Sequence, residues 1–418
     1  MTQERCNAGK VRWLAAWTAL ALLMLVLHKL AWAPPDSLED GLSALSELPG
    51  VKSAANAAHL LLGPFWVVCN VLTKDWGVYN FWLSALACLL ASGVVLLVVR
   101  RAVSWRASKL RNHAGDSSEE RISRRRFLVD SPLLGGAALL AAVGGHSAAI
   151  APYSIRLRRY RVPIHDLPES FDGLRAIFIA DTHLGPRVPA AYIRDVIATA
   201  LSLKPDLALL GGDYVHAGTR YIKPAAAMFR PLVEAGVPVV GVLGNHDWYN
   251  SRGLVRTFLE KTGVHMVDNA RVFLDAQSRR IVAQPPSSGI CIAGVGDFLC
   301  DVVDADRALA GVPSGMPRVL LSHNPDVAEL PTIAGRSGVG GGQRRIDLML
   351  SGHTHGGQIG LPFIGPLYVP GNNGTKYAGG FVQGPAFPVI VSRGVGMSIC
   401  PIRFCVPPEL VEVKFTRA

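Results

Sequence analysis

The chain has 418 residues, room for one large domain or two ordinary ones. Half of it is hydrophobic and its mean hydropathy is +0.28, which argues against a wholly soluble protein. The net charge of +11 would suit nucleic acid, but it divides into +8 over residues 1–160 and +3 over residues 161–418, so the excess flanks apolar runs and no nucleic-acid partner is expected.

The first apolar run, Trp13 to Trp32, has the length of a bilayer span and is interrupted late by His28 and Lys29. Arg5, Lys10 and Arg12 precede it and favour the cytoplasm, whereas the loop from Ala33 to Lys52 holds a single basic residue and reads as external. A less apolar stretch, Ala54 to Thr73, carries Asn56, His59, Pro64 and Asn70 and suits the membrane interface. The second span covers Val78 to Val99 without a charge. Residues 100–126 hold nine Lys and Arg and read as a cytoplasmic loop. The third span, Ser131 to Ile155, again lacks Asp, Glu, Lys and Arg. Ser123-Arg124-Arg125-Arg126-Phe127-Leu128 just before it reads either as a twin-arginine export signal at an unusual internal place or as an ordinary basic flank. Both readings put the chain beyond the third span outside the cytoplasm. The expected layout is an N-terminal α-helical membrane region over residues 1–160, multi-pass in the inner (cytoplasmic) membrane, and a domain over residues 161–418 on its external or periplasmic side.

After the basic stretch Arg156 to Arg161, apolar runs of strand length alternate with helical patterns. Strands are expected at Leu174 to Ala180, Asp206 to Leu210 and Val237 to Leu243, with helices at Pro189 to Leu203 and Pro224 to Ala235. Further strands follow at Ile290 to Val295, Arg318 to Ser322, Ile346 to Leu350, Val389 to Ser392 and Leu410 to Phe415. The fold class implied is α/β, with stacked sheets flanked by helices. The seven cysteines, Cys6, Cys69, Cys88, Cys291, Cys300, Cys400 and Cys405, form no C-x-x-C pair and are odd in number, so neither a zinc ribbon nor a disulfide framework is expected. Free buried thiols are the simpler state, and a Cys400–Cys405 bridge is the alternative.

Polar residues gather at the ends of these runs. Asp181 and His183 follow the first strand, Asp213 the second, and Asn245, His246 and Asp247 the third. His323 and Asn324 follow Val319-Leu320-Leu321-Ser322, and His353 and His355 follow Leu348-Met349-Leu350-Ser351-Gly352. In open α/β sheets ligands bind at the carboxyl ends of strands. Carboxylate, imidazole and amide oxygen are ligands for hard or borderline divalent ions, and Gly212, Gly244 and Gly352 beside them allow close approach. No activated Ser or Cys nucleophile accompanies the set. The chemistry that fits is attack of a metal-activated hydroxide on phosphorus, without a covalent intermediate.

The motifs Asp181-Thr182-His183, Gly212-Asp213-Tyr214, Gly244-Asn245-His246-Asp247, Ser322-His323-Asn324-Pro325 and Gly352-His353-Thr354-His355-Gly356-Gly357-Gln358 stand in order over 172–418. In them the chain resembles the calcineurin-like metallophosphoesterase superfamily, most closely its membrane-associated bacterial branch, some members of which carry twin-arginine signals. The resemblance implies a two-sheet sandwich flanked by helices, with the site at its rim. It implies two divalent ions of Mn, Fe or Zn type: Asp181, His183 and His355 on one, Asp213 bridging, and Asn245, His323 and His353 on the other. It also implies that His246 contacts the phosphate and protonates the leaving oxygen, with Asp247 orienting its imidazole.

The second motif continues as Tyr214-Val215-His216-Ala217-Gly218 rather than Asp-Arg-Gly, so protein phosphatase activity is not expected. Arg393 offers replacement positive charge or a structural ion pair. Asp297 supports the site or shapes a loop, and Trp248 and Tyr249 wall the substrate or pack beneath it. His165, His216 and His265 read as packed residues, with lining of the cleft as the alternative for His216. Gly338 to Gly342 lacks a following Lys-Ser/Thr and reads as a plain loop. The expected function is hydrolysis of a phosphomono- or phosphodiester, such as an envelope lipid, a nucleotide–lipid or a cell-wall polymer. The alternative is a non-catalytic metal-binding sensor or assembly factor anchored in the membrane. Transport through the spans is disfavoured, because none carries Asp or Glu.

Overall fold

The structure, a computed structural model, describes residue 139 and residues 142–418 other than 336–344, 367 and 399. The runs 13–32, 54–73 and 78–99, the basic loop 100–126 and Gly338 to Gly342 lie outside the described residues. Of the run 131–155, residues 142–149 are helical and Ala151–Tyr153 forms a 3-10 turn. No helix among the described residues is long and apolar enough to cross a membrane.

The first sheet is built from β1 (Arg156–Ile164), β2 (Arg175–Ile179), β3 (Leu207–Leu210), β4 (Val239–Gly241), β5 (His265–Met266) and β15 (Glu409–Arg417), in the order β1-β15-β2-β3-β4-β5. Strands β2 to β5 run parallel, and β15 lies antiparallel to β2. The second sheet holds β6 (Ala270–Asp275), β7 (Ile281–Val282), β8 (Gly289–Gly294), β9 (Arg318–Leu321), β10 (Leu348–Ser351), β13 (Gly380–Gln383) and β14 (Pro388–Val391), in the order β13-β14-β10-β9-β8-β6-β7. Its centre, β14-β10-β9-β8, is parallel. A small hairpin of β11 (Gly360–Leu361) and β12 (Gly365–Pro366) stands apart.

The central strands read as unbroken apolar runs because both of their faces are covered. Leu207 and Leu209 of β3 meet Ile292, Leu321, Leu350 and Ile390 of the other sheet, while Ala208 and Leu210 turn to the helices. The same alternation puts Leu320 of β9 and Met349 of β10 on the outer side of the second sheet. The helices over the first sheet are α1 (Ala190–Ser202), α2 (Ile222–Ala227), α3 (Arg230–Glu234) and α4 (Asn245–Thr262). Helix α1 presents Ile193, Val196, Ile197 and Ala200, one helical face, to that core. The short helices α5 (Ala305–Leu309) and α6 (Pro331–Ala334) cover the second sheet. The architecture is therefore a two-sheet α/β sandwich with helices on its outer faces. The expected single helix from Pro224 to Ala235 is two helices, since Pro231 sits in the first turn of α3, where a missing N–H costs nothing.

Candidate metal centre

Each expected ligand sits just past a strand of one of the two parallel blocks. Asp181 and His183 follow β2, Asp213 follows β3, and Asn245 opens α4 after β4. His323 follows β9, and His353 and His355 follow β10. The chain turns sharply there: Asp181, His183, Asp213, His353 and His355 all have left-handed backbone, with φ of 56°, 47°, 56°, 69° and 50°. Non-glycine residues adopt that region rarely, and clusters of them mark functional sites. Two glycines make room. A Cβ on Gly244 would run into the Asp213 carboxylate, and one on Gly352 into that of Asp181.

The side chains converge as two overlapping groups. His183 Nε2 and His355 Nε2 are 3.0 Å apart, with His355 Nε2 3.6 Å from Asp181 Oδ1. Asn245 Oδ1 lies 3.1 Å from His323 Nε2 and 3.0 Å from His353 Nδ1, and those two ring nitrogens are 3.3 Å apart. Asp213 Oδ2 stands 3.3 Å from both His183 Nε2 and His323 Nε2, so one oxygen faces both groups. His323 donates its Nδ1–H to the Gly211 carbonyl at 2.8 Å, which aims Nε2 at Asp213 and Asn245. The Nδ1 atom of His183 is buried without a hydrogen-bond partner. Imidazole nitrogens and carboxylate and amide oxygens packed this closely form a donor set that fits divalent cations.

Burial governs the protonation of the set. It pushes the Asp181 carboxyl up to about 7, holds His183 and His355 well below the ordinary imidazole range, and takes His353 down to about 3. In His323 burial also acts downward, but the adjacent Asp213 carboxylate outweighs it and holds the ring well above the ordinary imidazole range. Burial alone would raise Asp213; the charges of His323 and His246 hold it well below the carboxylate range instead.

His246 lies beside these groups, its ring 4.7 Å from that of His183. Its backbone N–H donates to Asp213 Oδ1 at 2.9 Å. Its Nδ1 is 3.0 Å from the His216 carbonyl, which can only accept, so Nδ1 carries a hydrogen and Nε2 faces Ser398 Oγ at 3.2 Å. The expectation that Asp247 orients this imidazole is corrected by the structure. Asp247 is fully buried, and its oxygens accept the backbone N–H groups of Asp213, Tyr214 and Gly244 at 2.9 Å and of Val215 at 3.3 Å. A side chain at the third residue of α4 points back over the helix start, toward the loop after β3 and away from His246. The orienting group is the carbonyl of His216, whose ring also stacks on His246 at 5.3 Å.

Asp297 is buried; its Oδ1 accepts from Leu299 and Cys300 N–H at 3.0 Å and its Oδ2 has no hydrogen-bond partner. Arg393 pairs with Glu409, by its N–H at 2.9 Å and its Nε at 4.0 Å. Tyr249 is exposed with its ring 5.6 Å from His246, whereas Trp248 packs on the first-sheet core under Arg252. Cys291, Cys300, Cys400 and Cys405 are free thiols. One important residue carried no sequence signal: Arg403, wholly buried, donates to the carbonyls of Arg393, Gly394 and Gly396 and thereby shapes the loop after β14.

Residues 174–357 match the calcineurin-like phosphoesterase family. The chain is 29% identical to the metallophosphoesterase YkuE of Bacillus subtilis over 70% of its length and 96% of the relative's. It is equally 29% identical to the phosphodiesterase YaeI of Escherichia coli, over 70% of this chain and 99% of that one. The UDP-2,3-diacylglucosamine pyrophosphatase LpxG of Chlamydia trachomatis is 28% identical over 60% of this chain and 86% of its own. The matched stretch contains every converging donor from Asp181 to His355, and over it the chain is similar to the calcineurin-like phosphoesterases.

Proposed function

We propose that the protein is a di-metal phosphoesterase, tethered to the membrane by its N-terminal region and facing the periplasm or cell surface. One observation carries the reading: the single oxygen Asp213 Oδ2, 3.3 Å from an imidazole nitrogen of each donor group. Asp181, His183 and His355 would hold one cation, Asn245, His323 and His353 the other, and Asp213 both. Such ions, when bound, supply Lewis acidity toward a phosphoryl oxygen and an activated water.

The chain's own residues do the rest. His246 keeps one hydrogen on Nδ1 through the His216 carbonyl, so the proton given to the leaving oxygen is the one on Nε2. Asp247 fixes the backbone of Asp213 through Val215 and the first turn of α4 as one unit, which sets the bridging carboxylate and His246 in register. Burial excludes water from Asp181, Asp213, His323 and His355 and keeps the set of donors rigid.

LpxG acts on a nucleotide–lipid pyrophosphate by its name, and YaeI is a phosphodiesterase. With the apolar run leading into the domain, these favour an envelope lipid or nucleotide–lipid ester as substrate. The test is metal content and hydrolysis of p-nitrophenyl phosphate and bis-p-nitrophenyl phosphate by the full chain in detergent with added Mn, for wild type and His246→Asn. Two metals in both proteins, with hydrolysis by the wild type and slower hydrolysis by His246→Asn, is the expected result. Metals in both with no hydrolysis by either, envelope phospholipids and nucleotide–lipids included, would replace the enzyme by a sensor.

A further inference from the structure

The hairpin of β11 and β12 follows directly on the His353–Gln358 motif, and its tip is apolar and bare. Phe363 is fully exposed, Ile364 73% and Tyr368 50% exposed, and Leu361 and Pro362 are exposed with them. Between Asp347 and Lys376 the sequence contains no Asp, Glu, Lys or Arg. The tip is a tight turn in which Ile364 N–H donates to the Leu361 carbonyl at 3.3 Å. Pro362 takes its second place and Phe363, at φ 66°, its third, the place where such turns take Gly or Asn. A phenylalanine there bears the strain of the left-handed region and buries nothing in return. The fold gains nothing from that choice of residue.

The hairpin shares its root with the end of the apolar run 131–155. Arg403 N–H donates to the Ser147 carbonyl at 3.0 Å, and the next residue, Phe404, accepts the Gly360 N–H at 2.8 Å. Leu139 and Ile150, in the same run, are 64% and 56% exposed. The loop bearing Arg403 also holds Ser398, against His246 Nε2, and the Arg403 guanidinium lies 3.5 Å from the His355 carbonyl. The apolar run, the bare tip and the mouth of the site therefore converge on one short loop.

We propose that the 360–366 hairpin is an interfacial anchor that dips its Leu361, Phe363 and Ile364 side chains into a lipid bilayer and turns the mouth of the metal site toward that surface. Aromatic and aliphatic groups without neighbouring charge partition into the interfacial region, and continuity with the apolar run makes the bilayer, rather than a second protein, the occupant. The inference stands apart from hydrolysis. The phosphoesterase reading supplies only its use, the capture of esters at the bilayer surface.

The test places a fluorophore on the tip. Full-length Phe363→Trp is reconstituted into phosphatidylethanolamine/phosphatidylglycerol vesicles with and without brominated acyl chains, beside wild type and Gln277→Trp. Gln277 is exposed in the turn between β6 and β7, at the other end of the second sheet, and both positions are exposed enough to accept Trp without disturbing the core. After subtraction of the wild-type signal, the Phe363→Trp emission should fall by about half in brominated vesicles, and that of Gln277→Trp should not. Equal quenching at the two positions, or none at either, overturns the proposal. Hydrolysis of water-soluble bis-p-nitrophenyl phosphate, followed in the same samples, needs no bilayer. Its absence would sink the enzyme reading and leave the quenching result as it stands.

Discussion

The two sheets bring different chemistry to the rim they share. The first supplies both carboxylates, Asp181 and Asp213, together with His183 and the Asn245 amide; the second supplies three imidazoles, His323, His353 and His355. Each of the two donor groups that Asp213 faces draws on both sheets. In the core the sheets meet through apolar groups, such as Phe178 and Leu209 against Leu321 and Leu350. At the rim the contact turns polar: His323 donates to the Gly211 carbonyl, and the His353 N–H donates to Asp181 at 2.9 Å. The hydrophobic part of the interface fixes the distance between the sheets, and the polar part spends that fixed distance on assembling donors. The donor geometry here is a property of the sandwich rather than of either half.

The largest test of that view removes the one atom shared by both groups. Asp213→Asn should strip both cations and reduce hydrolysis by more than the roughly 10–100-fold expected for loss of a supporting partner, with metal content by mass spectrometry as the check. If one cation stays bound at full occupancy, the two groups are independent and the bridging role is wrong. Next in size is His246→Asn, which leaves all seven donors in place. It should retain metal but lose about 10²–10⁴-fold in rate on an alkyl phosphodiester. The loss should be smaller on bis-p-nitrophenyl phosphate, whose leaving group departs without a proton. Equal losses on both esters would remove proton donation from the role of His246.

Much of this rim was legible in the sequence, because the donors stand next to glycine at the ends of apolar runs, and runs of that length are strands. The illegible features depended on contacts made far along the chain or on side-chain direction. Arg156 to Arg161 reads as a basic flank, yet it forms β1 by pairing with β15 at the other end of the domain, from Arg156–Glu409 to Ile164–Arg417. Helix α4 has no clear helical pattern in the sequence, because its first turn is made of site residues and its periodicity breaks at Ser251. The left-handed backbone of five donors leaves no trace in composition. The resemblance implies that Asp247 orients His246, but adjacent positions on a helix point in different directions.

That misreading supplies the third test, which separates scaffold from chemistry within the first sheet. Asp247→Asn keeps one acceptor oxygen where four backbone N–H groups now converge. Leaving buried donors unsatisfied costs on the order of 1–3 kcal/mol, so the unfolding midpoint should fall in thermal denaturation. The ratio of rates on alkyl and p-nitrophenyl esters should stay that of the wild type. A changed ratio with unchanged stability would restore Asp247 to the orientation of His246.

The smallest effect asks which sheet holds the protons that a cation must displace. On the second sheet, His353 at about 3 and His355, depressed by burial, are neutral near pH 7 and give up nothing on binding; His183 of the first sheet behaves likewise. Two groups do compete. Asp181, raised to about 7 by burial, is mostly protonated below that pH, and His323 is held well above the ordinary imidazole range by Asp213. Cation binding therefore expels a proton from each of them at pH 6, and from His323 alone at pH 8 while it remains charged. Because each expelled proton weakens apparent affinity by about tenfold per unit fall in pH, the affinity should climb more steeply with pH below 7 than above it. Titration calorimetry of the metal-stripped protein in buffers of different ionisation enthalpy counts these protons directly. An equal count at pH 6 and pH 8 would mean that Asp181 is already ionised in the metal-free rim, with the imidazoles of the second sheet, rather than burial, setting its charge.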